Sequence, residues 1–144
     1  MERREFLTAV GAVAVAASSG AAHAEGDAAD HSMHPPRYKA LEEASLHCVA
    51  TANACLRHCF GMLAMKDDSM SGCVNTAYQV VAACGALAAL AGVNAAQTPA
   101  FARATAEICL ACQQQCEKFP DAAECKACAL SCKACAEECR KVAA

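Results

Sequence analysis

Apolar and polar positions follow a helical pattern along the chain from Arg37 onward. The residues there are rich in Ala, Leu, Glu, Gln and Lys, which are strong helix formers, and the alternating pattern of strands is missing. The pattern predicts four helices, over residues 37–65, 70–91, 99–119 and 121–141. Because the connections are short, successive helices are antiparallel neighbours. The predicted fold class is therefore all-α, an antiparallel up-down-up-down four-helix bundle.

Turn and capping residues mark the ends of the predicted helices. The segment 66–69 offers a turn with an N-cap for the second helix, and Gly92–Asn94 ends that helix. Thr98-Pro99 begins the third helix, with the proline at the first helical position. Asp121 and Glu124 are spaced as a capping box for the fourth helix.

The N-terminal segment is predicted to be an export signal and not part of the fold. Arg3-Arg4 begins a twin-arginine pattern, and an apolar stretch that ends in small residues follows it. We expect residues 1–24 to be removed, residues 25–36 to form a mobile leader and residues 37–144 to form the bundle. The apolar stretch is too short to span a bilayer, and no segment of the mature chain is predicted to be transmembrane.

One residue type separates this chain from an ordinary bundle. Cysteine occurs 13 times in 144 residues, an odd number that disulfides alone cannot use up. The net charge of −3 and the absence of a basic run argue against nucleic-acid binding. The sequence offers no partnered nucleophile and base and no paired carboxylates in a plausible cleft, so no catalytic residues are predicted and the protein is not expected to be an enzyme.

The cysteines of each predicted helix fall on one narrow stripe of its helical wheel. The pattern C-x-A-C-x-x-x-C begins at Cys109, at Cys125 and again at Cys132. The stripes occupy positions where a bundle normally places Leu, Ile and Val, so we expect the thiols to face inward and replace the core. The predicted metal ligands are Cys48, Cys55, Cys59, Cys73, Cys84, Cys109, Cys112, Cys116, Cys125, Cys128, Cys132, Cys135 and Cys139.

Three interpretations of these stripes compete. Cysteine as a small buried hydrophobe accounts for one or two thiols but not for full stripes, because a core of Cys and Ala buries little apolar area. Disulfides between facing helices would need about six strained bridges and would leave one thiol unpaired. Metal binding by thiolates is the interpretation that the pattern favours.

The charge balance of such a core indicates which metal it binds. Four thiolates around Zn²⁺ leave a net charge of −2, and burying several such sites is costly. Cu(I) is soft and accepts two or three ligands, and one ion for each thiolate leaves the core close to neutral. We therefore expect multiple Cu(I) ions, on the order of one per cysteine. Iron–sulfur clusters need cysteines on loops that wrap the cluster, so continuous helical stripes suit them poorly.

Thioether and imidazole groups are predicted to cluster at one end of the bundle, where the first helix ends and the second begins. These groups bind Cu(I) more weakly than thiolates, which suits a position where ions enter. The cluster consists of His58, Met62, Met65 and Met70. The opposite end is predicted to be apolar and carries Leu41, Leu87, Ile108 and Val142.

These features resemble the bacterial copper storage proteins, which are four-helix bundles packed with cysteine, and in particular their exported twin-arginine branch. The resemblance covers residues 37–141 through the stripes and the C-x-A-C-x-x-x-C units, and it includes Arg3-Arg4. It implies a homotetramer of bundles, Cu(I) bound along each core, and copper storage for copper enzymes. The branch is associated with methane-oxidising bacteria. It therefore implies a location in the periplasm or the lumen of intracytoplasmic membranes, with membrane-bound methane monooxygenase as a copper acceptor.

The residues leave three other roles open. Sequestration of excess copper would use the same ligands as storage and differs only in when the cell needs the protein. A zinc-binding, metallothionein-like role would use the same thiolates for another metal. A disulfide-stabilised interaction module would show few free thiols.

Overall fold

Four helices make up the fold in the computed structural model, which describes residues 34–143. They are α1 (Lys39–Ala64), α2 (Ser71–Gly92), α3 (Thr98–Cys116) and α4 (Ala123–Ala143). α1 packs against α2 and α4, and α3 packs against the same two helices. This arrangement confirms the predicted four-helix bundle. The predicted signal segment and residues 25–33 of the leader lie outside the described residues.

Each helix buries one stripe of residues that are spaced alternately three and four apart. This spacing keeps a single seam of the helix facing its neighbours, as in other bundles. Cysteine and alanine fill most of the seam, and the largest fully buried apolar side chains are Leu41, Leu87 and Val80. The core therefore contains far more sulfur than a conventional bundle of this length.

Two non-glycine residues in the left-handed conformation follow α1 and α2. Lys66 has φ 66° and Asn94 has φ 54°. The backbone N–H of Ala95 donates to the carbonyl of Leu90 over 2.9 Å, which closes the end of α2 in the manner of a Schellman motif. The predicted stop for α2 is thus confirmed, although Asn94 and not Gly92 adopts the left-handed conformation.

The helix starts differ from the predicted capping. Met70 precedes α2 and its side chain makes no capping hydrogen bond. Pro99 is the second residue of α3, one position later than predicted. α4 begins at Ala123, so Glu124 is its second residue and the predicted capping box with Asp121 is wrong. The starts of these helices therefore differ from the predicted starts by only one or two residues, and the predicted breaks between the helices are confirmed.

The described end of the leader is held where α1 begins and α2 ends. The backbone N–H of Arg37 donates to Asn94 Oδ1 over 2.8 Å, and Asn94 Nδ2 donates to the carbonyl of Pro35 over 3.2 Å. Residues 35–37 therefore lie at the opposite end of the bundle from His58.

By length and composition, α2 is apolar enough to cross a membrane. The sequence analysis predicts no such helix in the mature chain, because it weighs only the Ala-rich second part of α2 and not its full length. α2 packs against α1 and α3, and Cys73 and Cys84 lie in its buried stripe. Its apolar composition therefore has a role inside the bundle, as the core helix of a bundle requires.

Candidate metal centre

All thirteen cysteines are buried with no exposed surface, and all are free thiols. The inward orientation that the stripes predict is therefore confirmed for every one of them. The Sγ atoms of Cys73 and Cys116 lie 3.1 Å apart, well beyond the ~2.05 Å of a disulfide bond. The core of the bundle is a continuous column of thiols.

The Sγ atoms collect in groups whose members lie within 4.8 Å of one another. Each group draws its thiols from at least two helices, so the fold, and not one helix, assembles it. Two groups have four members: Cys55, Cys59, Cys73 and Cys125, and Cys48, Cys84, Cys109 and Cys135. Two have three members: Cys55, Cys116 and Cys128, and Cys112, Cys128 and Cys132.

Within a helix, the thiols that meet are four residues apart. Cys55 and Cys59 are separated by 3.9 Å between Sγ atoms, and so are Cys112 and Cys116. No two cysteines three residues apart belong to the same group of thiols in the described residues. The C-x-A-C pairs therefore direct their sulfurs toward different levels of the core, where each meets a thiol of another helix.

Burial and neighbouring thiols decide which cysteines ionise. Burial raises the pKa of Cys59 and of Cys125, and negative charge at Cys55 adds to this effect. Hydrogen bonds, first from Cys109 and then from Cys132, lower the pKa of Cys48 to about 5. A few thiolates are thus stabilised by their neighbours while other thiols stay neutral. Metal ions that enter this core must displace protons.

His58, Met62 and Met70 line a cavity of about 360 Å³ at the end of the bundle where α1 finishes, opposite the turn formed by residues 118–122. We call this cavity the mouth. Met70 is 6% exposed, and the thiol of Cys59 donates to its Sδ atom over 3.8 Å. The mouth is thus connected to the thiols through a thioether.

Met65 does not join the other three residues of the predicted cluster. It is 69% exposed and is absent from the lining of the mouth. The reason is that α1 ends at Ala64 and the chain turns at Lys66, so Met65 lies outside the helix and does not flank the buried stripe as predicted. Glu124 lies near the mouth instead, with Oε2 3.8 Å from His58 Nδ1.

The opposite end of the bundle is apolar, as predicted. Leu41 and Leu87 are buried, and Ile108 and Val142 pack against the same cluster. This end offers no thioether or imidazole group among the core residues of the described chain.

Comparison with known proteins places this thiol-filled bundle among its relatives. The profile of the copper storage protein family matches residues 34–144, which is most of the chain and includes all four helices. The chain belongs to the copper storage protein family. The predicted resemblance is confirmed at the level of the family, and its exported branch stays a prediction.

Two solved structures of the family are similar to this member. Apo copper storage protein 3 from Bacillus subtilis is 29% identical, with a TM-score of 0.66, over 74% of this chain and 98% of that one. The Cu(I)-bound copper storage protein BsCsp3 is 29% identical, with a TM-score of 0.68, over 74% of this chain and 97% of that one. No curated protein matches the chain in sequence. Membership in this family indicates a storage role rather than catalysis.

Buried hydroxyls are part of this family member's core, and the sequence analysis missed them. Ser131 Oγ donates to the carbonyl of Cys128 over 2.9 Å, lies 3.9 Å from Cys48 Sγ and is hydrogen-bonded to the hydroxyl of Thr51. Ser45 Oγ lies 3.8 Å from Cys135 Sγ. Ser45 could have been found from the wheel of α1, because it lies three residues before Cys48 on the same stripe.

Proposed function

We propose that this protein stores many Cu(I) ions along the core of its bundle, on the order of one per cysteine. The observation that carries the proposal is that all thirteen thiols are free and buried, and that twelve of them lie in groups whose sulfurs are within 4.8 Å of one another. The Cu(I)-bound structure of the related BsCsp3 supports the choice of metal. The ligands are the thirteen cysteines, with His58, Met62 and Met70 as weaker ligands at the mouth.

The overlap between the thiol groups favours Cu(I) over Zn²⁺. Cys55 belongs to two groups, and so does Cys128. Separate tetrahedral Zn²⁺ sites would each need four thiolates, and overlapping groups cannot supply them all at once. Cu(I) needs only two or three ligands, and a thiolate can be shared between neighbouring ions. One monovalent ion for each thiolate also keeps the buried core close to neutral.

The first test is an anaerobic titration of reduced apo protein with Cu(I), and separately with Zn²⁺, followed by metal analysis after gel filtration. We expect Cu(I) uptake to continue to about one ion per thiol. Saturation at one or two Cu(I) ions would refute storage, and preferential tight binding of Zn²⁺ would favour the metallothionein-like role. Few titratable thiols in freshly isolated, metal-stripped protein would favour the disulfide-stabilised module.

The mouth is the proposed route for Cu(I) into the core. Its thioether and imidazole groups are weaker ligands than thiolates, so ions bound there pass readily to thiols deeper inside. Met70 contacts Cys59, which gives such an ion a thiol neighbour at once. The opposite end is closed by Leu41 and Leu87, which have no ligand atoms and are almost completely buried.

The cellular context is proposed from the sequence and the family resemblance. Residues 1–24 direct export by the twin-arginine pathway and are removed, and residues 37–144 store copper in the periplasm or the lumen of intracytoplasmic membranes. Export of a folded chain keeps its thiols reduced. A variant with both Arg3→Lys and Arg4→Lys should remain in the cytoplasm with its N-terminus intact. Normal export of that variant would contradict this route.

A homotetramer is proposed from the same resemblance. Exposed apolar side chains such as Leu46, Phe60 and Tyr78 offer surface for contacts between copies. Light scattering on the purified mature protein measures its molar mass and therefore the number of copies in the assembly. A monomer at micromolar concentration would refute it.

The proposed recipient of the stored copper is a copper enzyme such as membrane-bound methane monooxygenase. A strain that lacks the protein should lose activity of that enzyme sooner when copper is withdrawn. Harm only in excess copper would instead assign the protein to detoxification.

A further inference from the structure

Twelve of the thirteen thiols divide into two sets along the bundle. The outer set, next to the mouth, is joined by Sγ–Sγ contacts such as Cys55–Cys73 at 3.3 Å and Cys112–Cys128 at 3.8 Å. It consists of Cys55, Cys59, Cys73, Cys112, Cys116, Cys125 and Cys128. The inner set, next to the apolar end, consists of Cys48, Cys84, Cys109, Cys135 and Cys139, the last one helical turn beyond Cys135.

Cys132 is the thiol that contacts both sets. It lies within 4.8 Å of Cys112 and Cys128 of the outer set. Its Sγ atom also lies 3.5 Å from that of Cys48, in the inner set. All thirteen cysteines are in the described part of the chain, and every hydrogen-bonded pair of their sulfurs that links the two sets includes Cys132.

α1 and α2 carry no sulfur in the part of their buried stripes that lies between the outer set and the inner set. On α1 the buried position between Cys48 and Cys55 is Ala52. On α2 the middle of the buried stripe is Ala77 and Val80. None of these side chains can bind a metal ion. α4 alone carries a cysteine at every step of its stripe from 125 to 139.

We propose that Cys132 is the relay through which Cu(I) passes from the outer set to the inner set. This proposal rests on the proposed storage of Cu(I) by the thiols. An ion held by Cys112 and Cys128 gains Cys132 as a further ligand, then releases one of the first two and binds Cys48. Copper remains Cu(I) throughout. One Cu–S bond forms as another breaks, and the proton of each incoming thiol passes to the thiolate that is released.

The relay determines the order in which Cu(I) ions fill the two sets of thiols and leave them. Ions that enter at the mouth occupy the outer set first, because the inner set is reached only through Cys132. Ions in the inner set leave last for the same reason. Storage thus has a fast outer part and a slow inner part, although both sets consist of cysteine thiols alone.

The test uses Cys132→Ser in the reduced apo protein, loaded anaerobically with Cu(I) and followed over time by native mass spectrometry. The variant should load its outer set at the wild-type rate. Loading of the inner set should slow at least about tenfold, as a barrier raised by ~1.4 kcal/mol would cause. Cys139→Ser is the matched control on α4: it also removes one buried thiol, but that thiol lies beyond Cys135 and takes no part in the transfer through Cys132. This control should bind less Cu(I) only to the extent of the thiol it lacks, and it should load its remaining inner thiols at the wild-type rate.

A rescue variant tests the relay further, and a wild-type measurement keeps it testable if Cys132→Ser folds poorly. Adding Val80→Cys to Cys132→Ser places a new thiol at the same level and should restore fast loading of the inner set. In the unaltered loaded protein, release of Cu(I) to an excess of a soluble chelator should be biphasic, with the slow phase assigned to the inner set.

Three outcomes separate failure of the relay from failure of storage. If Cys132→Ser loads every remaining site at the wild-type rate, the relay is wrong and storage stands. If the wild-type protein releases all its copper in one phase, the relay is again overturned. If the wild-type protein takes up only one or two Cu(I) ions, storage itself fails, and the relay with it.

Discussion

The thiol of Cys59 donates a hydrogen bond to the thioether of Met70 over 3.8 Å, joining the end of α1 to the start of α2. The two residues differ in what they offer Cu(I). Met70 borders the cavity at the mouth, whereas Cys59 is completely buried and lies 3.9 Å from Cys55. The contact is therefore the point where a weak neutral ligand meets the column of thiols.

Replacement of Met70 by leucine should slow Cu(I) uptake with little effect on capacity. Leucine has a similar volume, so the packing cost should stay below about 1.5 kcal/mol, but it has no ligand atom. We expect the initial rate of anaerobic uptake to fall by roughly fivefold, because the first soft ligand for an incoming ion is lost. Stopped-flow absorbance in the Cu(I)–thiolate region measures this rate.

Met65→Leu is the control for that experiment. Met65 is 69% exposed and does not line the mouth, so its replacement should leave the uptake rate unchanged. Equal slowing in both variants would mean that any nearby thioether captures copper. Equal rates in Met70→Leu and the wild type would remove Met70 from the proposed route.

Alkaline pH should destabilise the apo bundle. Burial raises the pKa of Cys59 and of Cys125 in the folded state, while thiols of the unfolded chain ionise near ~8.5. A group with a raised folded pKa contributes its full stability below the unfolded pKa and loses it as pH rises toward the folded value. The melting temperature of reduced apo protein should therefore fall between about pH 8 and pH 10.

The Cu(I)-loaded protein is the control for this pH dependence, because its thiols have already exchanged protons for metal. Its melting temperature should change much less over the same range. A constant melting temperature of the apo protein up to pH 10 would show that the buried thiols ionise as easily in the folded state as in the unfolded chain.

The sequence predicted the inward thiols because their spacing of three and four residues is a property of each helix alone. Residue identity along α4, for example, is enough to place Cys125 and Cys132 on one seam. The contacts between helices could not be predicted in the same way. Whether Cys132 meets Cys48 or another thiol depends on how far α4 is shifted along α1, and this shift follows from packing over the whole bundle.

The positions of the helix ends account for the other differences between the predicted and the observed site. The predicted cluster at the mouth requires α1 to continue through Met65. The helix ends at Ala64 instead, and the turn at Lys66 directs Met65 to the solvent. Glu124 is predicted to cap α4 together with Asp121. α4 begins two residues later than predicted, however, and Glu124 lies beside His58. End positions are set by a few backbone hydrogen bonds, so a shift of one or two residues changes which side chains meet.

Truncation of Leu87 should cost the apo protein a large part of its stability. Leu87 is fully buried at the apolar end, in a core with few other large aliphatic side chains. Leu87→Ala should destabilise the apo bundle by about 3 kcal/mol, through lost apolar burial and the cavity that remains. Urea unfolding of reduced apo protein measures this change.

Leu130→Ala is the matched control, since Leu130 is 62% exposed on α4. Its truncation should change the free energy of unfolding by less than about 0.5 kcal/mol. Similar small losses in both variants would mean that the thiols, and not the apolar end, dominate the stability of the apo bundle.

Removal of the Ser131 hydroxyl should destabilise the apo bundle more than removal of the Ser45 hydroxyl, although both serines are buried. Ser131 donates to the carbonyl of Cys128 and is hydrogen-bonded to Thr51, so Ser131→Ala should cost about 1 kcal/mol. Ser45 has only a 3.8 Å contact with the thiol of Cys135, and sulfur is a weak hydrogen-bond partner. Ser45→Ala should therefore change the free energy of unfolding, measured by urea unfolding, by less than about 0.5 kcal/mol. A larger loss from Ser45→Ala would mean that hydroxyl–thiol contacts contribute more to this core than contacts between hydroxyls and the backbone.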